Sequence, residues 1–464
     1  MHTCAALSSG AGKAGVAVIR LSGDDAVKIA SAVFKPQNGK PLTELPSRYA
    51  AFGTAFAADG KKIDTGLATV FRAPHSYTGE NTVEISCHGS PVGTSLILGA
   101  LFEAGAKPAL PGEFTKRAFI SGKLDLTQAE AVADLLDAES ADELRLFSAQ
   151  LEGGLGQKIR AVSDNITTLL ASVYAYMDYP DEDMSDLSDQ EMAEQISDTL
   201  STLESLCNTY SSGRAVTKGV YTVIAGAPNT GKSTFFNLLA ESDRAIVTDI
   251  AGTTRDVITE TVVCAGIKLR LADTAGIRAT DDTVEKIGVE RSEKALEESE
   301  LIFAVFDGSR DDITAEEKAF IAKIAALAAK KPVAALINKN DIASDRQIKR
   351  WETALQDAGI THILPFSAQN GDGKKQLEAF LHTLFPLSGE ALEHGMILAN
   401  ARQYAAVKGA VSALKNALNA LKTLTRDMAG LDLEEALGAL CEADGRQVSE
   451  QVVNTIFARF CVGK

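Results

Sequence analysis

The run Gly226-Ala-Pro-Asn-Thr-Gly231-Lys232-Ser233 is a full Gly-x-x-x-x-Gly-Lys-Ser match lying between an apolar stretch and a helical pattern. Glycines let backbone N–H groups close around phosphate oxygens at a helix N-terminus. Lys232 then reaches the outer phosphates and the Ser233 hydroxyl ligates magnesium. The adjoining Asn229, Thr230, Gly231 and Thr234 complete the cradle. Further along, Asp273-Thr274-Ala275-Gly276 follows a second apolar run, where Asp273 can reach the magnesium shell and Gly276 can offer its N–H to a γ-phosphate. Alone that tetrapeptide is an ordinary turn; after a phosphate loop it is a nucleotide-sensing switch.

The base would be read by Asn338-Lys339-Asn-Asp341, with Ser367-Ala368-Gln369 beyond it. These resemble the Asn-Lys-x-Asp and Ser-Ala elements of translation-factor-like GTPases, whose Asp carboxylate pairs with the amide and amine of guanine. Adenine lacks that donor pair, and a buried carboxylate left unpaired by the wrong base is costly, so GTP is expected over ATP. Position 277 is Ile, where Ras-like GTPases place a water-orienting glutamine. Something else must position water and offset charge. Glu285 is one candidate, acting through a water, against the plain reading of an exposed first-turn helix Glu. A monovalent cation is another. Asn229, with the first-switch segment Thr248-Asp249-Ile250-Ala251-Gly252-Thr253-Thr254, offers an amide oxygen and backbone carbonyls suited to a hard cation, and Thr254 offers a hydroxyl to magnesium.

Positioning such groups needs a sheet with its strand ends aligned. Apolar runs 220–225, 258–263, 267–272, 301–306, 333–337 and 362–366 read as strands, and helical patterns fall at about 232–240, 285–299, 315–329, 346–357 and 374–385. This alternation predicts a mostly parallel sheet with helices on both faces and a ligand site at the carboxyl ends of the strands. Helical segments flank it. One runs from Leu126, with capping-box spacing in Thr127-Gln-Ala-Glu130, and the other is Ala/Leu-rich from Ala399 to Leu424. The expected organisation is an N-terminal domain over 1–120, helical parts over 121–217 and 386–464, and the nucleotide domain at 218–385 inserted between them.

The 464 residues carry 46 Lys and Arg against 62 Asp and Glu, a net charge of −16. Composition excludes a disordered or fibrous chain. The charge is unevenly placed: residues 1–120 are net +3, whereas 121–217 hold 5 basic and 19 acidic residues. The net acidity argues against a protein that coats nucleic acid through a broad basic surface, and does not exclude a local basic site. There is no apolar run of membrane-spanning length and no secretory leader pattern, so no membrane association and a cytoplasmic location are expected. Cys4, Cys87, Cys207, Cys264, Cys441 and Cys461 form no Cys-x-x-Cys pair, which suggests reduced thiols. Gly10-Ala-Gly-Lys-Ala-Gly15 has dinucleotide-loop spacing, yet a strand pattern follows where a helix is required, so a loop is expected.

The phosphate loop with Asn229, the first switch, Ile277 and the second-switch sequence together resemble the MnmE (TrmE) family of tRNA uridine-modifying GTPases. So do Gly15 to Gly23, Pro74 to Glu80, Pro111 to Ala118 and the ending Phe460-Cys461-Val-Gly-Lys464. The resemblance implies a multidomain α/β plus α protein with an N-terminal α+β folate-binding domain, a helical domain and an inserted Ras-like GTPase domain. It implies a homodimer through the N-terminal domains, binding 5-formyl- or methylene-tetrahydrofolate as one-carbon donor. By motif position, Arg20, Glu84, Lys123 and Lys464 would contact the folate, although Arg20 and Lys123 alone would pass for surface charges. Potassium held by Asn229, Thr248, Ile250 and Thr253 would stimulate hydrolysis, with Glu285 as general base beside Lys232. The flavoprotein MnmG (GidA), which alone would carry FAD, would join it in a heterotetramer acting on carbon 5 of wobble uridine in certain tRNAs. Cys461 matches a motif cysteine and reads equally as nucleophile or packed thiol. Ala227 replaces a basic residue common in the family, and Cys4-Ala-Ala-Leu-Ser-Ser replaces its usual opening, which bears only on the edge of the first strand. Two other readings are a ribosome-assembly GTPase, which needs a strongly basic RNA-binding domain, and a folate-dependent transferase with a regulatory GTPase.

Overall fold

The computed structural model describes residues 2–10, 12–178, 187–242, 259–272, 293–386, 389–423 and 425–464. It divides into two compact units, one of Met1–Leu136, Gln150–Thr199 and Gly409–Lys464, the other of Asp137–Ala149 and Leu200–Lys408.

In the first unit, strands β1 (Cys4–Leu7), β2 (Ala14–Ser22), β3 (Phe34–Pro36), β4 (Ala50–Phe56), β5 (Lys62–Phe71), β6 (Thr82–Gly89) and β7 (Lys107–Pro108) form a sheet in the order β3-β4-β5-β6-β2-β1-β7. Pairing is antiparallel except between β1 and β7. Alternation places Ile19, Leu21, Val83 and Ile85 under the helices Ala26–Val33 and Pro91–Glu103, and turns Arg20 and Glu84 to the other face. Strand β1 is interior, flanked by β2 and β7, and Cys4 is fully buried; the unusual opening therefore occupies sheet interior rather than an edge. Gly12 and Lys13 lead into β2, which begins at Ala14, and no helix opens there.

The helix Leu126–Leu136 begins where expected, but its cap differs. Asp125 Oδ1 accepts from Gln128 N at 2.9 Å while Gln128 Oε1 accepts from Asp125 N at 3.0 Å. This reciprocal cap lies two residues before the Thr127–Glu130 pair, because a carboxylate ahead of the first turn reaches the unpaired N–H groups that Thr127, already helical, cannot. The helix Gly154–Asp178 buries Leu155, Ile159, Val162, Ile166, Leu169 and Val173 at helical spacing. It packs on Arg426–Asp444, where a side chain at Gly430 would come within 3.0 Å of Val173.

The second unit holds β8 (Val220–Ala225), β9 (Thr259–Cys264), β10 (Ile267–Ala272), β11 (Leu301–Asp307), β12 (Val333–Asn338) and β13 (Ile363–Pro365), ordered β13-β12-β11-β8-β10-β9. Only β9–β10 is antiparallel. Helices Lys232–Ser242, Ala315–Ala328, Asp345–Asp357 and Lys374–Leu384 supply two cores on opposite faces. Phe235 packs edge-on against Phe303 and Phe366 on one, and Phe306 meets Trp351 on the other. Most of the helix expected at 285–299 lies outside the described residues; 293–298 are helical. No described helix is long and apolar enough to cross a membrane.

The segment Asp137–Ala149 is anchored within this unit to the start of β10. Lys268, with 9% of its side chain exposed, pairs with Glu143 at 2.5 Å and Glu139 at 2.8 Å, and Glu143 is 2% exposed. At the β9–β10 turn Gly266 has φ +75, and a Cβ there would lie 2.6 Å from Asp142 Oδ2.

Candidate functional site

The loop after β8 turns into helix Lys232–Ser242 through two left-handed residues, Asn229 (φ +64) and Gly231 (φ +95). Glycine is required at Gly231, since a Cβ would stand 2.1 Å from Asn338 Nδ2, and at Gly226, where it would meet the Val305 carbonyl at 2.3 Å. Lys232 is half-buried and arches over the loop, donating to the Gly226 and Ala227 carbonyls at 3.0 and 2.8 Å, and burial pulls its pKa below the usual lysine value. Thr230 is buried and bonds back to the Ala227 carbonyl at 3.0 Å. Asn229, Ser233 and Thr234 are exposed.

Beside this loop, at the end of β12, Asn338 Nδ2 donates to the Thr230 carbonyl at 2.8 Å and its Oδ1 accepts from Ala368 N at 2.8 Å. Ser367, fully buried after β13, donates to Asp341 Oδ1 at 2.7 Å, and Gln369 is exposed. Lys339, at φ +64, pairs with Asp307 at 2.7 Å. The structure thus brings Asn229 to Thr234, Asn338, Lys339, Asp341, Ser367 and Ala368 to one end of one sheet. Asp307 was missed in the sequence; its signal was an Asp-Gly pair closing the apolar run 301–306. The remaining expected contacts, Thr248, Asp249, Ile250, Ala251, Gly252, Thr253, Thr254, Asp273, Thr274, Ala275, Gly276 and Glu285, lie outside the described residues.

A second cluster belongs to the first unit. Arg20 and Glu84, 64 residues apart, are direct cross-strand partners on β2 and β6, and Arg20 Nε and Nη2 meet Glu84 Oε1 at 2.9 and 2.8 Å. The Arg20 guanidinium lies over the rings of Tyr77 and Phe114, at 5.0 and 5.5 Å. Tyr77 is tied by its hydroxyl to Thr115 at 2.9 Å. Lys464 joins this neighbourhood through its backbone, accepting from Phe114 N at 3.1 Å, and Val462 bridges Pro111. Gly463 (φ +100) lies where a Cβ would be 2.0 Å from the Leu7 carbonyl. Cys461 is exposed, and its carbonyl accepts from Gly112 N at 3.4 Å. Lys123 is exposed, its backbone closing the helix end at Ala118. Beneath the cluster, Arg117 is buried between Glu80 (2.8 Å) and Glu113 (2.6 Å). Burial raises the Glu113 carboxyl, but the Leu110 N–H and Arg117 outweigh it and hold the pKa low. The adjacent Cys4 thiol is pushed up by burial to about 12, which leaves it inert. Tyr77, Phe114 and Arg117 lay within motifs visible in the sequence, but their roles needed the fold.

A phosphate loop after β8 and an Asn-Lys-x-Asp loop after β12, at the carboxyl ends of one mainly parallel sheet, define a P-loop GTPase. Residues 3–123 match the family described as GTP-binding protein TrmE N-terminus, and 126–461 match the MnmE helical domain. The chain is 38% identical over 464 residues to the tRNA modification GTPase MnmE of Lactobacillus acidophilus, covering all of this chain and 98% of that one. It is 39% identical to the protein of the same name in Lactobacillus helveticus, covering 100% and 98%, and 38% identical to that of Thermoanaerobacter pseudethanolicus, covering 100% and 99%. The chain belongs to the MnmE (TrmE) family of tRNA modification GTPases.

Proposed function

We propose that this chain hydrolyses GTP with stimulation by potassium and, with the flavoprotein MnmG (GidA), uses the cycle to modify carbon 5 of the wobble uridine in certain tRNAs. Tetrahydrofolate would supply the one-carbon unit, entering an aminomethyl or carboxymethylaminomethyl group. The observation that carries this reading is the presence, on one chain of this family, of a guanine-type phosphate-loop site and the Arg20–Glu84 pair bordered by two aromatic rings. In this reading Lys232 neutralises charge on the outer phosphates and Asp341 reads guanine, while Glu285 orients water in place of the glutamine that Ile277 displaces.

The donor chemistry fits the expected ions. Ser233 exposes a hydroxyl at a helix N-terminus and, with Thr254, would hold magnesium, which supplies charge neutralisation. Asn229 exposes an amide and, with Thr248, Ile250 and Thr253, would hold potassium, which offsets charge at the same phosphates. The guanidinium and carboxylate of Arg20 and Glu84 suit the amide and amine edges of a pterin, and Lys123 and Lys464 suit its anionic tail. Cys461 would sit beside that pocket.

The partners follow from the same reading: a homodimer through the N-terminal domains, and MnmG carrying the FAD in a cytoplasmic heterotetramer. The tRNA would lie along N-terminal or C-terminal surfaces, away from the acidic stretch 121–217, whose charge repels phosphate. Mass spectrometry of wobble uridines from cells lacking the protein tests the function. Loss of the C5 substituent is expected, and normal modification overturns the reading.

A further inference from the structure

We infer that Asp307 is a positioning residue of the guanine pocket, acting through Lys339. The inference rests on the guanine-nucleotide reading of the Asn338–Asp341 loop and adds a determinant that lies outside that loop. Two of its residues are fixed by neighbours already described: Asn338 by Thr230 and Ala368, Asp341 by Ser367. Lys339 lies between them in a left-handed conformation that residues with a Cβ rarely adopt, with its ammonium 2.7 Å from Asp307 Oδ2.

Asp307 is built to hold that ammonium still. Its side chain is only 6% exposed, and its other oxygen accepts from Ser309 N at 3.1 Å and Ser309 Oγ at 2.6 Å, so the carboxylate has no freedom to swing. The next residue, Gly308, donates to the Asn338 carbonyl at 2.8 Å, and a Cβ on Gly308 would collide with that oxygen at the same distance. The loops after β11 and β12 are therefore joined beyond the last paired residues, Asp307 and Asn338. Burial works against the Asp307 charge, but Lys339 and Ser309 more than compensate and hold its pKa below the ordinary carboxylate range.

The chemical reason for such a residue is competition for one cation. An unrestrained Lys339 ammonium has a second carboxylate within chain reach, that of Asp341, whose charge must stay available to the guanine amide and amine. By taking Lys339, Asp307 keeps the reading carboxylate from being neutralised within its own loop and lays the lysine stem in one direction. The residue sets affinity and base preference without touching the reacting phosphate.

The test uses the full-length chain, with fluorescent mant-GDP as probe and GTP turnover as second readout. Asp307→Asn is expected to raise the mant-GDP Kd about tenfold, the loss typical of a charge-assisted contact, while kcat at saturating GTP stays within about twofold. Lys339→Met should raise Kd similarly. Arg310 Nε also lies 3.6 Å from Asp307 Oδ2, so the double variant decides between the two cations: it should be no weaker than Lys339→Met when Asp307 acts through Lys339. A Kd for Asp307→Asn within about twofold of wild type overturns the inference, as does a double variant whose loss is the product of the two single losses. Should Asp307→Asn not fold, Asp307→Glu, which keeps the charge but moves it by one methylene, takes its place in the cycle with the same expected loss and the same overturning results. Wild-type protein that fails to bind mant-GDP would instead sink the guanine reading.

Discussion

The side-chain amide of Asn338 donates to the backbone carbonyl of Thr230 across 2.8 Å, so the Asn338–Asp341 loop and the Gly226–Ser233 loop form one hydrogen-bonded piece. Asn338→Ala removes that bond and the one to Ala368 N. With two buried groups left unpaired, mant-GDP affinity should fall at least roughly tenfold, and the unit should lose about 2 kcal/mol. Titration of the probe and urea unfolding followed by the single tryptophan, Trp351, which lies in this unit, check both effects.

Lys268 makes the second unit dependent on the segment 137–149. Lys268→Met strands the buried Glu143 carboxylate and should cost about 3–5 kcal/mol in Trp351-monitored unfolding. Adding Glu143→Leu, which removes the stranded charge, should restore most of it. A double variant as unstable as the single would show that shape, not charge, governs the site.

The Glu300 carboxylate accepts from Tyr221 N at 2.9 Å and pairs with Arg214. Burial raises its pKa, but these partners outweigh burial and set it below its ordinary value of 4.5. A lowered folded-state pKa contributes stability that is present above the unfolded value and lost as pH falls through the folded one. The stability gap between wild type and Glu300→Gln should therefore be full at neutral pH and close progressively below about pH 4.5. A gap that is constant from pH 7 to 3 would contradict this.

Gly463 cannot accept a side chain: a Cβ there would stand 2.0 Å from the Leu7 carbonyl, at a φ of +100. Gly463→Ala should displace the tail that gives Phe114 N its acceptor at Lys464. Binding of 5-formyl-tetrahydrofolate, measured by calorimetry, should weaken about tenfold or more, and nucleotide binding, which belongs to the other unit, should be unchanged.

GTP turnover in potassium against sodium addresses the cation proposed at Asn229. Faster hydrolysis in potassium is expected, and equal rates would remove that role. Glu285→Ala should keep mant-GDP binding yet slow turnover about a hundredfold or more, as expected for loss of a general base.

The meeting of Gly226 to Ser233 and Asn338 to Asp341 at one end of one sheet was legible because each motif is contiguous in sequence and the strands preceding them are short apolar runs that admit few alternatives. The Arg20–Glu84 cluster was singled out only by resemblance. Arg20 and Glu84 meet because antiparallel β2 and β6 bring residues 64 apart into register, and no local pattern encodes a register. The same limit hid Asp307, whose partner Lys339 follows the neighbouring strand β12, and Lys268, whose carboxylates are more than a hundred residues earlier. At Leu126 the helix was readable but its cap was not, since Asp125 and Thr127 both carry plausible capping oxygens and only the backbone geometry chooses between them.

The attachment of Asp137–Ala149 to β10 has a bearing on modularity. A GTPase fragment excised at residues 218–385 would carry away Lys268 and leave behind Glu139 and Glu143, together with the Thr217 carbonyl that Lys268 also contacts. Such a fragment would hold a lysine shaped for burial and robbed of these three acceptors, Glu139, Glu143 and the Thr217 carbonyl. Recombination that moved this GTPase into another protein would have to bring a carboxylate for Lys268 or replace the lysine, so the insertion is not a freely transferable cassette.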